Sequence, residues 1–293
     1  MSSATDIHIF DRKAAALKRA RIKKDHLFLF DWAQKQIAER LDVVNRDFDL
    51  ALQLGTRGDQ APLLSSPKIK TLLSLDTNAD STPGTIADEE MLPLETSSLD
   101  LVTSALNLHS INDLPGTLIQ IRRALKADGL FVGALLGGET LHELRDSLAQ
   151  AELKLKDGMS PRVFPFADKQ QMGALMQRAG FALPVIDSEI ITVTYENIFK
   201  LMHDLRFMGE SNIIAERSRT NPGKDFFMEA ARHYAQNYSE PDGRIRASFE
   251  VIFLLGWAPH ESQQKPLAPG SAQKKLADAL RTDEIKTGEK ATP

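Results

Sequence analysis

Between residues 48 and 136, short runs of β-forming residues alternate with helix-forming segments. Phe48–Leu54, Lys70–Leu75 and Leu99–Ser104 read as strands, and the apolar run Leu130–Leu136 reads as a strand buried on both faces. Asp113–Leu125 reads as a helix, with Asp113 placed to cap it and Pro115 in its first turn. Lys126–Gly129 reads as the turn that follows. Strands alternating with helices predict a mostly parallel sheet with helices on both faces. In such sheets ligands sit beyond the carboxyl ends of the strands. Gly55–Gly58, Asp76, Asp88 and Ser104 all lie at or just after strand ends, so the topology predicts that they meet in one crevice.

The flanks differ. Residues 12–42 read as one or two helices, because Leu27, Phe30, Ile37 and Leu41 recur at helical spacing. Thr140–Leu153 and Lys169–Ala179 read as helices, the second stopped by Gly180. Val185–Tyr195, rich in Ile, Val and Thr, reads as a strand, and Phe249–Trp257 as the last one. Between them Ile198–Gly209 and Asp225–Tyr238 read as helices around the polar link Asn221–Gly223. Two late strands bracketing helices predict an insertion over the ligand edge. The segment 281–293 is charged and reads as disordered.

Composition excludes several functions. With 36 Lys+Arg against 40 Asp+Glu the net charge is −4, which argues against a nucleic-acid partner. The chain has no cysteine, so disulfides, Cys-ligated metals and thiol nucleophiles are excluded. No window reaches the roughly 18–20 apolar residues of a membrane span. No apolar signal region follows the polar start, so a secretory signal is not expected and the reading is cytoplasmic. Arg12–Lys24 is the one basic stretch, open to three readings: a transit peptide, a solvated helix face, or a peripheral docking surface for acidic lipid or partner.

Glycines at Gly55 and Gly58, just after a strand, let the backbone approach a ligand closely. Asp76, about 20 residues on, is placed to accept from a ribose diol. The alternative reading is an ordinary turn with Asp76 as a capping residue. Ala87-Asp88-Glu89-Glu90-Met91-Leu92-Pro93, then Ser98–Val102 entering a strand, is a more specific string. On these residues the chain resembles class I S-adenosylmethionine-dependent methyltransferases. The resemblance implies a Rossmann-like seven-stranded methyltransferase sheet with N-terminal helices and a helical insertion between the last two strands. Its parts are an N-terminal helical cap over 1–46, a methyltransferase-like domain over 47–280 with the insertion at about 196–245, and the tail over 281–293. The family's pattern puts the methionine part of S-adenosylmethionine at Gly55, the ribose at Asp76 and the adenine amine at Asp88, with Gln53, Gly58, Glu89 and Ser104 completing the cofactor set.

Further strings narrow the branch. Leu106–Gly116 and Gly137–Arg145 resemble the branch that holds the malonyl carrier-protein methyltransferase of biotin synthesis and the mitochondrial complex I assembly factor. Ser160–Phe166, Leu201–Asn212 and Gly256–Gln263 resemble the assembly-factor side, to which hydroxylation of a complex I arginine is attributed. That implies a protein substrate, a complex I subunit, with the matrix as the location in a eukaryote. Tyr195, Trp257, His260 and Glu261 read as a substrate-arginine pocket: Glu261 would pair with guanidinium and Trp257 stack on it. The other reading of Trp257 is an aromatic edge packed on the insertion. Arg145, Arg162 and Arg206 read as ion-pair residues.

The sequence departs from the family at the glycine turn. Gln53 replaces the usual acid, and Arg57 the second glycine. Arg57 puts a cation close to a sulfonium ligand unless Asp59 or another acid neutralises it. Each change is expected to weaken cofactor binding by about 1–2 kcal/mol. The departure leaves two rival readings open: a non-catalytic assembly chaperone, and a methyltransferase acting on a carrier protein or small molecule. No catalytic residue is assigned, and no metal set is predicted. His203 with Asp204, or His260 with Glu261, offer the atoms of an iron site, but sequence neighbours seldom face one way.

Overall fold

The computed structural model describes residues 8–78, 84–156, 158–264, 271 and 276–283. It falls into two compact units, Met1–Pro259 and His260–Pro293. The first holds every strand: α1 (Arg12–Arg19), α2 (Phe28–Asp42), β1 (Phe48–Leu54), β2 (Ile69–Asp76), β3 (Thr85–Ile86), β4 (Leu99–Ala105), α3 (Leu114–Ala124), β5 (Leu125–Leu136), α4 (His142–Leu155), α5 (Lys169–Arg178), β6 (Ala182–Tyr195), α6 (Ile198–Met208), α7 (Lys224–Asn237) and β7 (Ile245–Trp257). Among its described residues the second contains one short helix, α8 (Leu276–Leu280). The boundary expected at 280 therefore contrasts with a compact unit that ends at Pro259. Of the tail expected to be disordered, all but Arg281–Asp283 lies outside the described residues.

The sheet order is β3-β2-β1-β4-β5-β7-β6. β1 pairs in parallel with β2 and β4, and β7 runs antiparallel to β5 and β6. The chain steps outward from β1 through β2 to β3, then returns to place β4 on the other side of β1. That reversal opens a crevice at the carboxyl ends of β1 and β4, where ligands bind in doubly wound sheets.

The sheet forms here because its central strands are apolar on both faces. All seven residues of β4 are buried. On β5, Leu130, Val132, Ala134 and Leu136 pack to one side with α2, α4, α6 and α7. Phe131 and Leu135 pack to the other with α3 and α5. The two-residue alternation of side chains along a strand produces this split. The expected helical insertion is present as α6 and α7, between β6 and β7. Asn197 starts α6 by accepting from Phe199 N and Lys200 N, and Gly209, at φ +85°, ends it.

Several local readings differ from the structure: β6 begins at Ala182 rather than Val185, and β7 at Ile245 rather than Phe249. Lys126–Gly129 belongs to β5 rather than to a separate turn, because Leu125 pairs with Leu99 and an irregularity between Leu99 and Leu101 absorbs the kink. The two-residue β3 is too short to leave a periodic signal.

Candidate functional site

The turn after β1 is built on Asp76. This fully buried carboxylate accepts from Thr56 N at 2.7 Å, from Thr56 Oγ1 at 3.3 Å and from Asn78 N at 2.9 Å. Its charge-assisted bonds lock the turn to the end of β2. Gln53 orders the base of the turn without a charge: its Oε1 accepts from Leu64 N at 2.8 Å and its Nε2 donates to Gly55 O at 3.3 Å. Gly55 has φ +75°, and a Cβ there would stand 2.4 Å from Asn107 Cγ. Glycine is required because Asn107 packs directly against it. Gly58, at φ +57°, opens the short helical turn that carries exposed Asp59.

Arg57 points inward. Its guanidinium donates to Thr56 O at 3.0 Å and Leu106 O at 2.9 Å and lies 4.5 Å from the Phe30 ring centre. Burial, with Arg19 nearby, pushes its pKa down to about 10, so it stays charged at neutral pH. The acid that neutralises it is not Asp59 but Glu210, from the loop after α6, at 3.8 Å. Glu210 also bonds His109 Nε2 at 2.9 Å. Burial works to raise the Glu210 pKa, yet His109 and Arg57 outweigh it and hold the carboxyl below its usual range. The inserted segment is thereby tied to the glycine turn by buried charge.

The loop after β3 carries the other acids. Glu89 is fully buried and accepts from Arg12 Nη2 at 2.5 Å, Asn107 Nδ2 at 3.0 Å and Arg19 Nη1 at 3.4 Å. Burial opposes its ionisation, but Arg19 and Arg12 win and lower its pKa. Half-exposed Asp88 accepts from Arg12 Nη2 at 2.9 Å. Helix α1 thus lies across the acid loop. This changes the reading of the basic stretch. Arg12 and Arg19 turn into the crevice, Lys18 donates to Asn212 O and Lys23 sits over the Phe207 ring. A membrane-docking surface loses those four cations.

Under α1 is a pocket of about 330 Å³ whose walls include Ala15, Ala16, Thr77, Ile86, Ala87 and Asp88. Arg12, Lys13 and Arg19 also line it and Arg12 holds its one carboxylate, Asp88, while its small apolar side chains leave room for a flat nitrogenous base. Deeper in, Ser104 Oγ, Asn107 Oδ1, His109 Nδ1 and Arg57 Nε are buried with no hydrogen-bond partner among the described residues. Buried polar atoms are ordinarily satisfied, so a group of orphans around one turn marks a polar ligand's place. These observations fit S-adenosylmethionine: a nucleoside under α1 and an amino-acid group at the turn, with Asn107 Oδ1 and Ser104 Oγ as acceptors and Arg57 Nε as donor. Arg57 and Asn107 narrow the second position.

A second cavity, of about 270 Å³, lies between the ends of β5 and β7, α4 and α6. Glu210 is part of its wall as well as of the crevice. Tyr195, expected at a substrate pocket, is buried instead and donates to Asp204 Oδ2 at 2.9 Å, which fastens α6 to the sheet. Burial and Asp204 push its pKa up. Trp257 pairs with Leu130, at the start of the inner run of β5. The antiparallel course of β7 carries it to the end of the sheet opposite the crevice. His260 and Glu261 are exposed in the second unit, where His260 bonds Ser262 Oγ at 2.7 Å. No cluster of three His, Asp or Glu able to hold a metal is found among the described residues. The sequence reading did not single out Glu210, Asn107 and His109 as site residues, although Glu210 lies in the Leu201–Asn212 string and Asn107 and His109 in the Leu106–Gly116 string.

Comparison with known proteins fits this geometry. Over 98% of its length the chain is 36% identical to "Arginine-hydroxylase NDUFAF5, mitochondrial" of Danio rerio, covering 94% of that protein. The chain belongs to the NDUFAF5 family. The human member is 38% identical over 92% of this chain and 83% of its own. A methyltransferase domain model matches residues 66–133. The "Malonyl-[acyl-carrier protein] O-methyltransferase" of Nitrosospira multiformis is 39% identical over 59% of this chain and 53% of its own. The solved YcgJ protein of Bacillus subtilis has the same fold, at TM-score 0.53 and 13% identity, with 77% of this chain and 99% of that one aligned. This NDUFAF5-family chain is therefore methyltransferase-like in sequence and fold. Among its described residues no helix is long and apolar enough to cross a membrane.

Proposed function

We propose that this NDUFAF5-family protein binds S-adenosylmethionine in the β1–β4 crevice and acts on an arginine side chain of a protein during assembly of respiratory complex I. The observation that carries the ligand reading is the group of orphaned buried atoms around Gly55, next to a base-sized pocket. Near full-length similarity to arginine-hydroxylases supports the target side chain. The site of action would be the cytoplasm of a prokaryote or the mitochondrial matrix of a eukaryote.

When bound, S-adenosylmethionine supplies an electrophilic methyl group on sulfur. Asp76 would hold the ribose and Asp88 the adenine amine, while Asn107, Ser104 and Arg57 meet the amino-acid group. Glu210 cancels the charge of Arg57, so a sulfonium there does not face a bare cation. Helix α1, pinned by Arg12 and Arg19, limits water on the nucleoside side.

The test is mass spectrometry of complex I subunits from cells with and without the gene. An arginine that gains one oxygen or one methylene only when the gene is present supports the reading, and the mass distinguishes hydroxylation from methylation. Unmodified arginines together with unchanged complex I levels would sink it. A non-catalytic assembly role is the second reading, favoured by the way Arg57 and Asn107 fill the turn. Lower complex I without any arginine mass change would select it.

A further inference from the structure

The 270 Å³ cavity beside the crevice has a charge pattern that the arginine reading does not use. Leu136, Leu144, Leu148, Phe166, Met202 and Phe249 give it apolar walls. Three charged residues also line it, and two are compensated. Arg162 donates to Glu152 Oε1 at 2.9 and 2.5 Å and stacks 4.6 Å from the Phe226 ring centre. Glu210 is held by His109 and Arg57. Arg206 differs. It lies one turn beyond Met202, on the same face of α6. It is exposed, which puts it at the cavity mouth, and it makes no hydrogen bond or ion pair with any described residue. The net unanswered charge at this cavity is one guanidinium.

An apolar interior with a free guanidinium at the mouth is complementary to a ligand with an aliphatic body and an anionic end. A substrate arginine is a poor occupant, because it would meet Arg206 and no uncompensated carboxylate. At about 30 Å³ per water-sized group, the interior holds on the order of nine heavy atoms. We infer that this cavity binds a linear aliphatic carboxylate of about eight carbons, its chain among the leucines of α4 and its carboxylate on Arg206. The site is separate from the proposed cofactor crevice, and its test does not depend on that proposal.

The experiment is calorimetric titration of the full chain with octanoate, octanol and octylamine. Octanoate is expected to bind most tightly and octylamine most weakly. Arg206→Gln should weaken octanoate about ten-fold or more, the scale of a charge-assisted hydrogen bond, and leave octanol unchanged. Leu148→Trp, checked by circular dichroism to be folded, should abolish binding of both. Octylamine binding as tightly as octanoate would overturn the inference. So would octanoate affinity indifferent to Arg206→Gln or to a folded Leu148→Trp, or no octanoate binding at all.

Discussion

The two ends of the crevice are built differently. The nucleoside end is an open pocket between small side chains, Ala15 and Ala16 on α1 and Ala87 after β3. The turn end is packed with the chain's own polar groups: Arg57, Asn107 and Glu89, braced from the insertion by Glu210. Both ends carry charge, but the turn end buries more of it. Open ends cost little to change, whereas buried charge is expensive once one partner is lost. The departures at Arg57 and Gln53 are therefore a substitution of one network for another. Gln53 keeps the hydrogen bonds of the base, and Glu210 supplies from 101 residues beyond its partner His109 the charge that the turn no longer carries.

Ways to break this comparison begin with the largest effect. Glu210→Ala leaves Arg57 buried and unpaired, so it should lower unfolding free energy by about 3–5 kcal/mol in urea titration. A loss within a few tenths would mean that the pair braces nothing. Gly55→Ala forces a side chain into a left-handed turn at φ +75° and against Asn107. It should cost about 1–3 kcal/mol, and Asn107→Gly in the same chain should recover the steric part only.

Acid sharpens the contrast further. Glu89 and Glu210 have pKa values lowered in the folded state from the ordinary 4.5. Their contribution is complete above the unfolded value and is lost as pH falls through the lowered folded values. The urea midpoint should therefore hold steady near neutrality and drop below about pH 4.5. An Arg12→Gln, Arg19→Gln double variant should flatten that drop; an unchanged profile would contradict the pairing of Glu89. The smallest effect belongs to the nucleoside end. Arg12→Ala removes a quarter-exposed guanidinium from half-exposed Asp88 and from buried Glu89, which Arg19 and Asn107 still hold, so it should cost only about 1 kcal/mol of stability.

Much of the fold was legible because burial on both faces writes itself as apolar runs. β1 matches its expected span, and Leu99–Ala105 was missed by one residue. Asp76 was legible at the site because its distance from Gly55 equals one strand–loop–strand crossover. The network around Arg57 was not, since its partners come from the loops after β4 and α6, and no local pattern links them. The position of Trp257 was not legible for a related reason: the composition of β7 shows a strand but not its direction, and the antiparallel course puts Trp257 at the end of the sheet away from the crevice.

We expect one crevice to receive S-adenosylmethionine, with a preformed nucleoside end and an amino-acid end governed by Arg57. Calorimetric titration with S-adenosylmethionine and with methylthioadenosine, which lacks the amino-acid group, tests it directly. Both ligands should bind, Asp76→Asn should remove both, and Arg57→Met should weaken S-adenosylmethionine alone. Absence of binding by either ligand up to about 1 mM, a free energy of about −4 kcal/mol, would contradict it.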